Sequence, residues 1–221
     1  MRNQRHFAAP ALGYPLIFLI ACTSAYAQPQ GPAPAVDPSD YRPIPINKLK
    51  VKGVIDFGEV TPTLYRGAHA SPEGLRNLKE MGIQIVIDLR GRKRRDEQVA
   101  EQFGMQYFPI GGTCFPQSDT KYAKFLSVVD NNPGKKIFVE CKLGEDRTGM
   151  AVAAFRIANQ GYTPDQAMQE MRAYGFTSIH HIMCPFLARY EKHFPHAYAT
   201  HPAFAEERKF YPPPSSPAFK R

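Results

Sequence analysis

Apolar residues follow two different periods along the middle of the chain. Helical spacing predicts five helices, and short apolar runs rich in β-branched residues predict three buried strands. The predicted helices cover 72–81, 96–103, 122–129, 148–160 and 164–174, and the predicted strands cover 83–89, 105–110 and 135–139. This alternation predicts an α/β fold, a single compact domain whose mostly parallel central sheet is flanked by helices.

Two of the predicted helices carry start signals. Ser71 and Pro72 fit a cap and first turn, and Thr163-Pro164-Asp165-Gln166 fits a capping box with proline at the first position. Proline also marks the predicted ends of the domain. Residues 28–50 contain six prolines and are expected to form a linker, and 196–221 are expected to be a Pro-rich disordered tail. The domain itself is placed at 51–195.

The first 27 residues have the pattern of a secretory signal peptide. Arg2 and Arg5 precede a short apolar run at 16–21, and small residues end at Ala27. We therefore expect a periplasmic or secreted protein. The segment before Cys22 also resembles a lipobox, so a lipid anchor on Cys22 is the alternative, and only that would place the protein at a membrane.

Composition narrows the class of protein and of substrate. The chain has 221 residues, 43% of them apolar, and a formal net charge of +8. This length and apolar content suit one globular domain with short extensions. The basic balance suits anionic substrates, and no nucleic-acid partner is expected.

The stretch VECKLGEDRTG at 139–149 holds the candidate chemistry. Its cysteine, Cys141, ends a predicted strand, and Arg147 precedes a predicted helix. Such a loop can direct backbone N–H groups at a phosphate, and Gly144 gives it conformational freedom. The guanidinium of Arg147 can bind two phosphate oxygens, and it favours the thiolate form of Cys141 together with the helix dipole. The candidate substrate-binding residues are Lys142, Leu143, Gly144, Glu145, Asp146 and Thr148.

Two of these residues have further predicted features. The hydroxyl of Thr148 is placed to bond the cysteine sulfur and help it depart. Lys142 adds local positive charge, although a solvated surface lysine is the simpler interpretation.

This loop resembles that of the cysteine-dependent protein-tyrosine and dual-specificity phosphatases. The Asp146–Gly149 ending DRTG is similar to bacterial and atypical members, as are 64–90 and 166–176. The resemblance implies a dual-specificity-phosphatase-like fold. It also implies that Cys141 is the nucleophile that forms a phosphocysteine, that Arg147 binds the phosphate in the transition state, and that neither metal nor cofactor is needed.

Two positions depart from that family. Histidine usually precedes the cysteine, whereas this chain has Glu140, an acid that would disfavour a nearby thiolate. Strand alternation directs Glu140 to the opposite face from Cys141, where it can pair with a basic residue. We expect altered activity and a gain in rate when histidine replaces Glu140.

The second departure concerns the general acid. The chain has no tryptophan, so the Trp-Pro-Asp loop is absent. Asp119, which lies 22 residues before Cys141, is the first candidate to protonate the leaving oxygen. A helix-starting aspartate is an equally good interpretation of Asp119, and Asp146 is the alternative acid.

The basic run RGRKRR at 90–95 follows a predicted strand. A solvated charged loop is the default interpretation. However, the carboxyl ends of parallel strands share one edge of a sheet, so the run can extend the positive field around the phosphate loop. That arrangement would favour phosphoinositides or inositol phosphates.

The chain has four cysteines, and cleavage after Ala27 would leave three. A reversible Cys114–Cys141 disulfide would protect the nucleophile from oxidation, and Cys114–Cys184 is the structural alternative.

The sequence therefore predicts a phosphatase, expected to be a monomer, that hydrolyses phosphate monoesters of a phosphorylated protein, phosphoinositide or inositol phosphate. A phosphate-binding pseudophosphatase silenced by Glu140 is one alternative. A rhodanese-like sulfurtransferase is another, because it also carries a cysteine in a strand-to-helix loop.

Overall fold

A six-stranded sheet, four of whose strands are parallel, forms the framework of the domain. The computed structural model describes residues 46–111, 118–177, 179, 182 and 184–213. The strands are β1 (Asn47–Lys48), β2 (Gly58–Thr61), β3 (Leu64–Ala68), β4 (Ile83–Asp88), β5 (Gln106–Pro109) and β6 (Lys136–Cys141). Their order in the sheet is β1-β2-β3-β6-β4-β5. Strands β3, β6, β4 and β5 are parallel, and β1 and β2 extend the sheet in antiparallel pairing beside β3.

Helices cover both faces of this sheet. Those in the described part of the chain are α1 (Pro72–Glu80), α2 (Arg94–Gln102), α3 (Asp119–Asp130), α4 (Asp146–Gln160), α5 (Pro164–Ala173), α6 (Pro185–Thr200) and α7 (Glu207–Phe210), and a 3₁₀ helix lies at Pro202–Phe204. Across the described ranges, none of the helices combines the length and apolar character needed to cross a membrane.

The strands alternate between two apolar clusters. Ile137, Val139 and Cys141 of β6 face the larger cluster, which contains residues of α3, α4, α5 and α6. Phe138 faces the smaller cluster, which contains residues of α1, α2, β3 and β4. Because successive side chains of a strand point to opposite faces, Cys141 and Glu140 lie on different sides of the sheet, as the sequence predicts.

Helix α4 lies at the centre of the larger cluster, with every residue from Thr148 to Asn159 buried. The helix therefore has no polar face in its middle, and alanines at this spacing let neighbouring elements approach closely. It ends at Gly161, which adopts the left-handed conformation (φ 70°).

The local signals in the sequence are confirmed at both capped helices. Ser71 accepts a hydrogen bond from the Gly74 N–H at the start of α1. The Thr163 side chain and Gln166 form the reciprocal capping box of α5. The predicted α/β architecture with a mostly parallel sheet is also confirmed.

The predicted domain boundaries need correction at both ends. Residues 47–48, expected in the linker, form strand β1 and pair with β2. The tail expected from residue 196 instead continues α6 to Thr200, and Tyr198 and Phe204 are fully buried in the larger cluster. Proline in this segment begins short helical turns, as at Pro202, and so was a poor indicator of disorder. The expected signal peptide and residues 214–221 lie outside the described residues.

We expect Phe204→Ala to lower the free energy of unfolding by about 3–5 kcal/mol, because it removes a fully buried aromatic ring from the core. Phe210→Ala is the matched control, since Phe210 is 51% exposed. Urea denaturation followed by circular dichroism measures both. Equal stability of Phe204→Ala and wild type would contradict the contribution of this segment to the core.

Candidate active site

Cys141 is the last residue of β6 and is buried, with 2% of its surface exposed. Residues 142–145 connect it to Asp146, the first residue of α4, and the phosphate loop predicted from the sequence comprises residues 141–147. Gly144 adopts φ +81°, and a Cβ there would lie 2.6 Å from the Ala68 backbone nitrogen. The loop thus rests directly on the end of β3, and only glycine fits this position without strain.

Arg147 lies in the first turn of α4 and lines an open, shallow cavity. The other lining residues come from the ends of β4 and β5 and from α3: Leu89, Ile110, Gly111, Lys121, Tyr122 and Phe125. The cavity is therefore largely apolar and aromatic, with a guanidinium and an ammonium group as its cations. Such a site can hold an anionic group next to an apolar one.

The remaining loop residues differ in exposure. Lys142 and Leu143 are exposed, which fits the interpretation of Lys142 as a solvated lysine, and Glu145 and Asp146 are partly buried. Thr148 is fully buried, and its hydroxyl lies 3.4 Å from the Gly67 carbonyl oxygen as a hydrogen-bond donor. This bond attaches the first turn of α4 to β3, and the predicted role of the hydroxyl toward the sulfur stays a prediction.

Arg66, which the sequence reasoning missed, lies behind the loop in β3. Its side chain is fully buried, and Nη2 donates a hydrogen bond of 2.9 Å to the Gly144 carbonyl. The guanidinium carbon lies 3.8 Å from the centre of the Tyr174 ring, a cation–π contact. An arginine within the otherwise buried strand LYRGA was the signal in the sequence that could have identified it.

Glu170 of α5 is the acidic partner of Arg66. Its Oε1 lies 3.7 Å from Arg66 Nη1, and its Oε2 accepts a hydrogen bond of 2.7 Å from Arg156 Nε. All three side chains are buried. A carboxylate shared by two guanidinium groups compensates part of the cost of burying these charges.

On the other face of the sheet, Glu140 is 1% exposed and is surrounded by donors. Its Oε2 accepts a hydrogen bond of 2.8 Å from the Ala70 N–H, and its Oε1 lies 3.2 Å from Arg90 Nη2 and 3.4 Å from His69 Nδ1. Burial raises the pKa of Glu140, and the neighbouring Asp88 adds to this, whereas the His69 and Ala70 contacts oppose it. The expectation that Glu140 pairs with a basic residue is confirmed.

These contacts argue against a gain in rate from histidine at position 140. An imidazole at position 140 would lie next to the Arg90 guanidinium without offering it a negative charge. The Ala70 N–H would also lose its carboxylate acceptor. Glu140 connects the strand that ends in the cysteine to the segment after β3, and we expect its loss to loosen that connection.

Arg90 is the centre of the same network and is unavailable to a substrate. It binds both oxygens of Asp88 through Nε and Nη2, at 3.0 and 2.7 Å, and Nη2 also lies 2.6 Å from Asp96. Tyr107 donates a hydrogen bond of 2.5 Å to Asp88. The first arginine of the 90–95 run is therefore structural.

The rest of the basic run is exposed at the carboxyl edge of the sheet. Arg92 lies 3.6 Å from Glu97, and Lys93, Arg94 and Arg95 are exposed at the start of α2. Gly91 packs near Gly111, a residue that lines the cavity. The run is thus solvated, which agrees with the default interpretation, and its effect on the field around the phosphate loop stays a prediction.

Asp119 begins α3, consistent with a helix-starting aspartate. Its Oδ1 accepts a hydrogen bond from the Tyr190 hydroxyl, and its Oδ2 lies 3.7 Å from His201 Nε2. Tyr190 also stacks on Tyr122, a wall of the cavity, with 5.0 Å between ring centres. Asp119 is therefore held by the C-terminal segment near the cavity, and its role as an acid stays a prediction.

Two cysteines lie within the described residues. Cys141 is a free thiol, and Cys184 is disulfide-bonded. The proposed Cys114–Cys141 disulfide is therefore not formed in this structure, and Cys114 itself lies outside the described residues. Within the described ranges, no group of three or more His, Cys, Asp and Glu side chains is arranged to hold a metal ion.

The model of the family DSP-PTPase phosphatase fused to NAD+ kinase matches residues 48–182. Dual specificity protein phosphatase 26 of Rattus norvegicus is 27% identical over 120 residues, which cover 52% of this chain and 57% of that protein. Dual specificity protein phosphatase TpbA of Pseudomonas aeruginosa strain UCBPP-PA14 is 27% identical over 158 residues, covering 68% of this chain and 62% of that protein. The chain thus spans less than two thirds of these curated relatives.

Solved structures share the fold. The crystal structure of P. aeruginosa TpbA aligns with a TM-score of 0.58 at 21% identity, over 67% of this chain and 89% of that one, and TpbA has also been solved in complex with pTyr. The core catalytic domain of the PP-IP phosphatase SIW14 from S. cerevisiae aligns with a TM-score of 0.53 at 18% identity. The alignment covers 62% of this chain and 88% of that one.

We expect Glu140→Gln to lower the free energy of unfolding by about 1–3 kcal/mol, because its hydrogen bonds to charged partners weaken. The Glu140 contact raises the pKa of His69 above its ordinary 6.5. Protonated His69 therefore stabilises the wild type fully below pH 6.5, and this contribution is lost as the pH rises through the raised pKa. The stability difference between wild type and variant should therefore become smaller as the pH rises.

Urea denaturation between pH 5 and pH 8 measures this difference, and NMR titration of His69 should show a lower pKa in the variant. Glu97→Gln is the matched control, because its partner Arg92 is 65% exposed. A Glu140→Gln protein as stable as wild type at every pH would contradict the role of this network.

Proposed function

The chain belongs to the DSP-PTPase phosphatase family, and we propose that it hydrolyses phosphate monoesters through a phosphocysteine on Cys141. The observation that carries the proposal is the free, buried Cys141 at the start of the loop that ends in Arg147. That loop lies between a strand and the N-terminus of a buried helix, where backbone dipoles favour anions.

The proposed reaction has two steps. In the first, the Cys141 thiolate attacks phosphorus, the bond from phosphorus to the ester oxygen breaks, and the general acid gives that oxygen a proton. In the second, the deprotonated acid takes a proton from water as that water attacks phosphorus, the bond from phosphorus to sulfur breaks, and phosphate leaves with the thiolate and the acid restored. Arg147 and the loop amides stabilise the charge on the equatorial oxygens in both transition states.

Asp119 is our first candidate for the general acid, and Asp146 is the alternative. Asp119 is the first residue of α3 and lies next to the aromatic wall of the cavity. The Tyr190 hydroxyl donates to one of its carboxylate oxygens, so this contact must change for that oxygen to meet the leaving group.

The cavity beside Arg147 favours an aromatic leaving group. Tyr122, Phe125 and Leu89 give it an apolar wall suited to the ring of phosphotyrosine, and Lys121 can meet a second anionic group. We therefore propose a phosphotyrosine-containing protein as the first substrate class. The exposed basic residues of 92–95 support phosphoinositides or inositol phosphates as the second.

The main alternative is a phosphate-binding pseudophosphatase. Glu140 was the reason to consider it, but this carboxylate faces away from the thiol and is held by Arg90, His69 and the Ala70 N–H. Its arrangement therefore supports a catalytic loop.

We also propose that the protein is exported to the periplasm or secreted. The support is the sequence pattern of residues 1–27. The disulfide at Cys184 is consistent with an oxidising compartment.

We expect wild type to release phosphate from phosphotyrosine and Cys141→Ser to lose at least about 1,000-fold in kcat, since the serine hydroxyl is a far weaker nucleophile at neutral pH. Rapid acid quench with a labelled substrate should trap phosphocysteine in wild type only. A panel of phosphotyrosine peptide, phosphoserine peptide, phosphoinositide and inositol phosphate ranks the substrate classes. Wild type that binds phosphotyrosine peptide without phosphate release would favour the pseudophosphatase.

We expect Asp119→Asn to slow hydrolysis of an alkyl phosphate by about 100-fold while changing that of an aryl phosphate with a good leaving group by less than about tenfold. A poor leaving group needs the proton, and a good one does not. Asp146→Asn is the comparison, and kcat for both substrates is the measurement. If only Asp146→Asn shows this selectivity, the acid is Asp146.

A further inference from the structure

Arg66 is the charged group whose position the reaction outlined above leaves unexplained. It occupies the middle of β3, beside β6, and is fully buried. Burying an isolated guanidinium is strongly unfavourable, and arginine stays protonated in proteins. A buried cation at this place is therefore expected to have a specific electrostatic partner in addition to a packing role.

The contacts of Arg66 point in two directions. On one side, Nη2 donates to the Gly144 carbonyl at 2.9 Å, in the middle of the phosphate loop. On the other, Nη1 lies 3.7 Å from Glu170, and the ring of Tyr174 covers the guanidinium at 3.8 Å. Glu170 and Tyr174 belong to the α5 segment, so the arginine connects that segment to the loop.

Gly144 makes this connection effective. Its positive φ turns the loop, and a Cβ at this position would lie within 3.0 Å of backbone atoms of Gly67 and Ala68 at the end of β3. A carbonyl held by Arg66 at this turn fixes the direction of the adjacent peptide planes. The N–H groups of the loop must point inward to bind phosphate, and fixing the turn keeps them in that orientation.

We propose that Arg66 is a positioning residue for catalysis, which holds the phosphate loop through Gly144 and so keeps the loop N–H groups directed at the Cys141 sulfur and the phosphate, with Glu170 facing its guanidinium. Burial lowers the pKa of Arg66, and the charges of Glu170, Tyr174 and Cys141 counteract this, whereas Arg156 adds to it. This inference rests on the proposed function, because it assumes that the loop binds phosphate.

Arg156 supplies a matched control within the same cluster. It is buried like Arg66 and binds the same carboxylate, with 2.7 Å from Nε to Glu170 Oε2, but its other contacts are to Gln160 in its own helix and to the Tyr162 ring just after that helix. Arg66→Lys and Arg156→Lys therefore make the same chemical change against the same partner. Only the first removes a hydrogen bond to the loop.

The test measures the thiolate of Cys141 without substrate. Its ultraviolet absorbance is titrated against pH in wild type, Arg66→Lys, Arg66→Met and Arg156→Lys, and the spectrum of the same protein with Cys141→Ser is subtracted each time. We expect the midpoint to rise by about 1 pH unit in Arg66→Met, to rise less in Arg66→Lys, and to stay unchanged in Arg156→Lys. We also expect kcat/KM for an aryl phosphate to fall about tenfold or more in Arg66→Lys.

Circular dichroism and urea denaturation separate this effect from a loss of folding. If Arg66→Met does not fold, Arg66→Lys decides the question. An unchanged midpoint in a folded Arg66 variant, or an equal rise in Arg156→Lys, would overturn the inference. Wild type without phosphate release would refute the proposed function instead, because the titration does not depend on turnover.

Discussion

A carboxylate shared between two buried arginines connects the parts of this domain. Glu170 brings α5 to Arg156 in the central helix and to Arg66 in the sheet, and Arg66 continues to the turn of the phosphate loop. Two guanidinium groups without that carboxylate would be uncompensated charges in an apolar interior. The placement of α4, whose first turn carries Arg147, therefore depends on an acid supplied by a later helix.

A second charged network occupies the opposite face at the same edge of the sheet. There Arg90 gathers Asp88, Asp96 and Glu140, and His69 adds a titratable partner. The two networks lie on either side of β6, the strand that ends in the cysteine. Arg66 and the phosphate loop thus lie on the face of the thiol, while the acid that precedes it is held by Arg90 and His69 on the other. The departure from the family pattern at Glu140 is accommodated by its neighbours.

The sequence predicted the features that depend on local patterns. Periodicity and caps such as Ser71 and Thr163 identified the helices, and the strand-loop-helix context identified Cys141 and Arg147. Arg66, His69 and Glu170 were missed because their roles depend on contacts between residues far apart in the chain, such as Arg66 with Gly144. The end of the domain was also misplaced, since the burial of Phe204 depends on packing against α3 and α6 and leaves no periodic signal in a proline-containing segment.

The parallel pairing of β3 with β6 has a consequence for when the protein becomes reactive. Leu64 pairs with Ile137, so the first and last parallel strands meet across a long stretch of chain, and forming that pair carries a loop-closure cost. Arg66 and the loop turn against Ala68 come next to the strand that ends in the cysteine only through this pairing. The chemistry that we propose for Cys141 therefore belongs to the folded domain, and a chain that has not joined these strands carries the cysteine without the groups that would act on it.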